Sequence, residues 1–249
     1  MSDSPSAAPA GVITLNKPVG ITSAKALYRV RKITRVRKSG HAGTLDPAAD
    51  GVLVLCLGKA TKLVESIMDQ PKVYRAAARL DVTSKSYDSD AALVPVDVGN
   101  VPAREQVDDA LLSFEGRIAQ VPPAISAIKI GGQPAYKLAR KGEDPDLKAR
   151  AVNIYWLHVH RYDWPTLEFE MCCGRGTYVR ALVRDLGHRL GTGGCLAALT
   201  RQAVGPFTLE KAVTFEDLKG MADPLTAVTP LNRAKESLEI RPIPIPPRP

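Results

Sequence analysis

Asp46 lies in the middle of GHAGTLDPAADG (40–51), a run of loop formers that also holds His41 and Thr44. A carboxylate in such a setting can attack as a nucleophile or accept a proton as a base. Gly40 and Gly43 permit positive φ and the close approach of another backbone. Pro47 lacks an N–H and biases Asp46 toward extended backbone. An isolated Asp-Pro pair reads as a turn cap. This one is followed by Val52-Leu53-Val54-Leu55-Cys56-Leu57, closed by Gly58, which reads as a strand buried on both faces. A carboxylate on a stiff loop, anchored by a buried strand, is an aimed group.

The elements around it follow from periodicity. Val12, Ile13 and Leu15 predict a short strand ended by Asn16-Lys17-Pro18. Thr22 or Ser23 can cap a helix carrying Leu27, Val30 and Ile33. That helix runs into RVRKITRVRK (29–38), where six of ten residues are basic. Charges of one sign beside a reactive loop favour phosphate contact. After the buried strand, residues 59–62 start a helix with Leu63, Val64 and Ile67 on its apolar side. Residues 72–80 predict a strand with Tyr74, Ala76, Ala78 and Leu80 on one face. The small alanines leave room beside Tyr74, where a flipped base could stack.

Residues 81–100 read as a loop and 105–114 as a helix. Residues 120–150, with Lys129, Lys137, Arg140 and Lys141 and a small basic helix over 134–142, read as an arm. Strands follow at 152–159 and 167–173. His158 and His160 share a strand face, but no third ligand has matching spacing, so a plain strand is expected rather than a metal site. Gly174-Arg175-Gly176 makes a turn. Thr177 is expected to cap a helix with Val179, Leu182, Val183, Leu186 and Leu190 in one stripe, ended by Gly191. Tyr178 and Arg180 fall in its first turn, where an arginine opposes the helix dipole and calls for a carboxylate partner. GTGGC (191–195) lacks the Lys-Ser/Thr of a P-loop and follows no strand, so no nucleotide loop is expected.

The chain has 249 residues, with 34 basic against 26 acidic, net +8, a balance that suits a polyanionic partner. Its four cysteines form no C-x-x-C pair, so a structural zinc site is not expected. With no signal peptide and no bilayer-length apolar run, a reduced cytoplasmic setting is the expectation. From the residues alone, this is an α+β protein with a positioned carboxylate, a nearby basic helix and aromatic platforms.

GVITLNKPVGITS (11–23), GHAGTLDPAADGVLVLCLGKATKL (40–63), KVYRAAARL (72–80) and GRGTYVRALVRDLG (174–187), in this order, resemble the TruB family of tRNA pseudouridine synthases over about 11–207. The resemblance implies the pseudouridine synthase fold: a mixed, mostly antiparallel sheet with flanking helices and a catalytic cleft across the sheet. It implies that uridine 55 in the T loop of tRNA is flipped out, its N-glycosidic bond broken, and the uracil turned and rejoined through carbon 5. It implies no metal and no organic cofactor, and the tRNA T stem-loop as partner of a monomer. Asp46 matches the family's catalytic aspartate. Tyr74, in KVYR, matches the tyrosine that stacks on the base and handles the carbon-5 proton. Arg180, in TYVR, matches the arginine that pairs with the catalytic aspartate. His41, Tyr178 and Leu199 match positions lining the uridine, and Lys17, in NKP, a structural and phosphate-side lysine.

Two departures stand out. Ser84-Lys85-Ser86 replaces a Thr-Asp-Thr stretch before Asp88, which is expected to join the Arg180 network. The expected organisation is a disordered leader over 1–10, a catalytic domain over 11–225 and a Pro-rich tail over 226–249, with no room for a PUA domain. The rival readings are a non-catalytic RNA binder or tRNA-folding chaperone on the same scaffold, and a synthase for another RNA.

Overall fold

The computed structural model describes residues 9–126, 129–130, 133–135 and 147–239. The expected leader before residue 9, most of the basic helix over 134–142 and the final ten residues lie outside this set. The chain divides into two compact units. One comprises the residues up to Val73 and those from Thr200 on; the other is Tyr74–Leu199.

The first unit is built around the Asp50–Leu57 strand, whose residues from Gly51 to Leu57 are all buried, as the unbroken apolar run predicts. It pairs antiparallel with Gly11–Lys17, from Gly11 opposite Leu57 to Lys17 opposite Gly51, and with Ser39–His41. Thr200 and Arg201 pair with Asp50 and Gly51 in parallel, so the sheet is mixed. Val12, Val54, Cys56, Ile67 and Val204 fill its core, each fully buried. Burying side chains of this size stabilises by about 1.5–3 kcal/mol apiece. The Ser23–Thr34 helix begins where expected: the Thr22 side chain accepts from the Lys25 N–H at 3.1 Å.

The expected tail does not begin at 226. Thr229–Pro230 pairs with Gly11 and Val12, and the Leu231 N–H donates to the Ala10 carbonyl at 3.1 Å. The Leu231–Glu239 helix then buries Ala234 in the core. Its apolar spacing (Leu231, Ala234, Leu238) is real but short, and the proline-rich end masks it in composition.

The second unit holds the Lys72–Arg79 strand from Tyr74 on, then Thr166–Cys173, Arg150–Asp163 and Gly116–Gln120 in adjacent order. The last three pair antiparallel, with register shifts between Ile154 and Trp156 and between Val159 and Arg161. The Arg104–Leu112 and Val179–Leu190 helices accompany these strands. Val179, Leu182, Val183 and Leu186 are buried on the expected stripe. The expected loop over 81–100 contains a short strand pair, Val82–Thr83 with Val94–Pro95. GTGGC is a packing device: a Cβ on Gly193 would stand 2.5 Å from the Val82 carbonyl oxygen. Sheets with flanking helices make this an α+β protein.

Candidate functional site

In the first unit, the peptide groups on both sides of Asp46 are clamped. Before it, the Leu45 N–H donates to Ser23 Oγ at 2.8 Å, and that hydroxyl donates to the Leu45 carbonyl at 3.0 Å. After it, the Pro47 carbonyl accepts from the Gly20 N–H at 2.8 Å, and the Asp46 carbonyl from the Ala49 N–H at 3.2 Å. The segment NKPVGITS is thus the clasp of the aspartate loop. Residues 22 and 27 positions away in sequence fix where the carboxylate starts.

Lys17 belongs to the same clasp. Its Nζ donates to the Pro18 carbonyl at 2.8 Å and the Ile21 carbonyl at 3.0 Å, and the residue is 0% exposed. The structural half of the role expected for Lys17 fits this placement. The phosphate-side half does not, because a fully enclosed ammonium bonded to two carbonyls has no face turned to solvent. Burial pushes its pKa down to about 8, against the opposing attraction of Asp50 and Asp46. Below pH 8 both folded and unfolded states carry the proton, and the burial cost is felt in full. Between pH 8 and 10.5 only the unfolded state retains it, so stability from this group rises with pH. Relative to Lys17→Met, the wild-type protein should gain up to roughly 3 kcal/mol across that window, read from urea unfolding at both pH values. Parallel pH profiles for the two proteins would refute the burial account.

His41, half-buried in the Ser39–His41 strand, is held below its ordinary pKa by burial and by the Arg201 charge. Its Nδ1 and Asp50 Oδ1 are buried with no hydrogen-bond partner among the described residues. The basic stretch divides in two. Arg31 donates to Ser39 Oγ and its carbonyl, both at 2.6 Å, and Arg29 and Lys32 lie over the rings of Phe215 and Tyr28. Arg35, Arg37 and Lys38 are exposed, and these are the charges a phosphate-tracking role needs.

Sequence reasoning passed over Arg201. It is 1% exposed and donates from Nε to the Val52 carbonyl at 2.7 Å, from Nη2 to the Gly43 carbonyl at 3.1 Å and from Nη1 to the Thr44 carbonyl at 3.5 Å. The local signal was weak: Arg201 sits between Thr200 and Gln202, in a strand that is apolar only toward its two ends.

In the second unit, Tyr74 is buried near the start of its strand with Ala76 and Ala78, while Arg75 is exposed. Tyr178 is half-buried and is the N-cap of the Val179–Leu190 helix. Thr177 does not cap it; its hydroxyl donates to the Gly174 carbonyl at 3.2 Å. Buried Gln120 instead holds the Tyr178 backbone, accepting from its N–H at 2.9 Å and donating to its carbonyl at 3.2 Å. A side chain from a strand 58 positions away cannot be read as a cap from local pattern.

Arg180 is 5% exposed. It donates to the Ser86 carbonyl at 3.1 Å and the Ile125 carbonyl at 3.0 Å, and its Nε lies 3.9 Å from Asp88 Oδ2. The expected link between Asp88 and Arg180 is present. The departing serines build this loop: Ser84 Oγ donates to the Asp88 carbonyl at 2.8 Å and accepts from its N–H at 3.0 Å, while Ser86 Oγ donates to Asp90 at 2.8 Å. Leu199 is half-buried in the Cys195–Val204 strand. The structure therefore gathers Lys17, His41 and Asp46 around Arg201 in one unit, and Tyr74, Tyr178, Arg180 and Leu199 belong to the other. Among the described residues no group of three or more His, Cys, Asp or Glu side chains could hold a metal ion, and no helix is long and apolar enough to cross a membrane.

Residues 31–179 match the family model described as TruB family pseudouridylate synthase, N-terminal domain, and residues 180–233 match the tRNA pseudouridylate synthase B C-terminal domain. The chain is similar to proteins called tRNA pseudouridine synthase B. It is 44% identical to that of Syntrophus aciditrophicus, covering 89% of this chain and 72% of the relative. It is 41% identical to that of Clostridium tetani, covering 84% and 72%. Among solved structures it resembles a chain of a Cbf5-Nop10-Gar1 complex, with 30% identity and a TM-score of 0.71. That match covers 91% of this chain and 62% of the other, so the present chain spans about six-tenths of that protein's length.

Proposed function

Because the chain belongs to the TruB family of tRNA pseudouridine synthases, we propose that it converts uridine 55 in the T loop of tRNA to pseudouridine. The reaction is an isomerisation. The bond from the ribose anomeric carbon to uracil N1 breaks, the base turns in place, and a bond to carbon 5 forms. Carbon 5 then gives up its proton and N1 gains one, so atoms and charge balance with no redox partner. We assign Asp46, Tyr74 and Arg180 as the catalytic residues. The aspartate attacks or deprotonates the nucleoside, the tyrosine stacks on the base and handles the carbon-5 proton, and the arginine supplies positive charge to the reaction. His41, Tyr178 and Leu199 line the nucleotide. The enzyme works in the cytoplasm as a monomer on the T stem-loop, without a metal or organic cofactor.

The observation that carries this reading is the clamped Asp46 loop: a carboxylate whose two flanking peptides are both fixed, inside a motif that matches the family's. The test is tritium release from an unmodified tRNA transcript labelled at uridine carbon 5, run with a chelator present. One tritium per tRNA should be released, and pseudouridine should map to position 55. Binding of the T arm with no release would make the protein a non-catalytic RNA binder. Release mapping elsewhere in the transcript would overturn uridine 55 as the target, and no binding or release with this tRNA but release from another labelled RNA would make it a synthase for that RNA.

A further inference from the structure

We propose that Arg201 is the positioning residue for the Asp46 carboxylate. This rests on Asp46 being the catalytic group. A guanidinium is costly to bury unless its donors are satisfied. Arg201 is 1% exposed and spends its donors on three backbone carbonyls. Two of these, Gly43 and Thr44, lie on the leg of the loop leading to Asp46. The third, Val52, lies on the leg leading away into the buried strand. One planar fork therefore spans the loop and fixes the distance between its legs.

The fork is itself referenced to the sheet. Arg201 pairs in parallel with Gly51, and Gly51 has φ +95°. A Cβ there would stand 2.4 Å from the Arg201 carbonyl oxygen, so the two backbones press directly on each other. The loop between them contains Gly43, Ala48, Ala49 and Gly51, residues with little side-chain bulk to hold a shape. The strand beyond keeps its own apolar core through Leu53, Val54 and Leu55. What Arg201 adds is thus local to the loop. A lysine brings positive charge to the same place but lacks the planar fork that bonds both legs at once.

The test is Arg201→Lys assayed by tritium release, with RNA binding and melting measured in parallel. The expected result is a kcat lower by about 10²-fold, the cost of a roughly 1 Å misplacement of a reacting group, with RNA affinity unchanged within threefold. Amide exchange should quicken at Leu45 to Ala49 while the Asp50–Leu57 strand stays protected. A folded variant with kcat within threefold of wild type would overturn the proposal. If the lysine variant does not fold at assay temperature, Gly43→Ala takes its place. Gly43 has φ +93°, and its new Cβ would lie 3.5 Å from Arg201 Nη1, so the acceptor moves while the guanidinium stays. The same kcat loss at unchanged affinity is expected, and an unchanged kcat overturns the proposal. Asp46→Asn separates the two ideas. Activity surviving in that variant defeats the catalytic assignment of Asp46. Activity lost there but kept in Arg201→Lys defeats only the positioning role.

Discussion

Asp46→Asn should abolish tritium release, by on the order of 10³-fold or more, while T-arm RNA still binds. The substitution keeps the shape and removes the nucleophilic, basic character of the side chain. The loop is also held by main-chain groups of Leu45, Pro47 and Ala49 and by the Ser23 and Arg201 side chains, contacts that the substitution leaves in place. One side effect has a definite sign. Asp46 is among the charges that raise the Lys17 pKa, so in the variant that ammonium should titrate lower still. Retention of a tenth of wild-type activity would remove Asp46 from the chemistry.

Arg180→Met should damage both stability and activity, and the two effects should separate. The variant loses the donors to the Ser86 and Ile125 carbonyls and the cation 3.9 Å from Asp88, in a place where both side chains are almost wholly enclosed. Removing one member of a buried pair typically costs about 3–5 kcal/mol, because the other charge stays behind. Adding Asp88→Asn should recover roughly half of that loss in urea unfolding. It should recover no tritium release if Arg180 acts in the reaction as proposed. A double variant no more stable than the single would show that Asp88 is not what Arg180 balances. A double variant that regains activity would make Arg180 structural alone.

Much of this was legible in the chain. The buried Asp50–Leu57 strand, the Thr22-capped helix and the apolar stripe of Val179–Leu190 all follow from local composition and period. Local pattern failed where the partner is distant. Gln120 serving Tyr178, and Arg201 serving Gly43, Thr44 and Val52, join residues 58 to 158 positions apart. No window on the sequence spans such pairs. The phosphate-side expectation for Lys17 came from a position match, which says nothing of where the side chain turns; its flexible stem brings the ammonium back onto neighbouring carbonyls. The 226–239 segment was hidden by the prolines that follow it.

The two units differ in how the chain supplies them. Tyr74–Leu199 is one continuous stretch, whereas the other unit joins the beginning of the chain to its later part. During synthesis the continuous unit has all its residues once position 199 has emerged from the ribosome. The discontinuous one must wait: its first strand, Gly11–Lys17, is paired at one edge by Thr229–Pro230, and Arg201 bonds the Asp46 loop only after some 150 further residues have been added. The Asp46 loop, made well before Arg201, is therefore seated late, and a product that stalls or terminates between them carries the motif without the geometry.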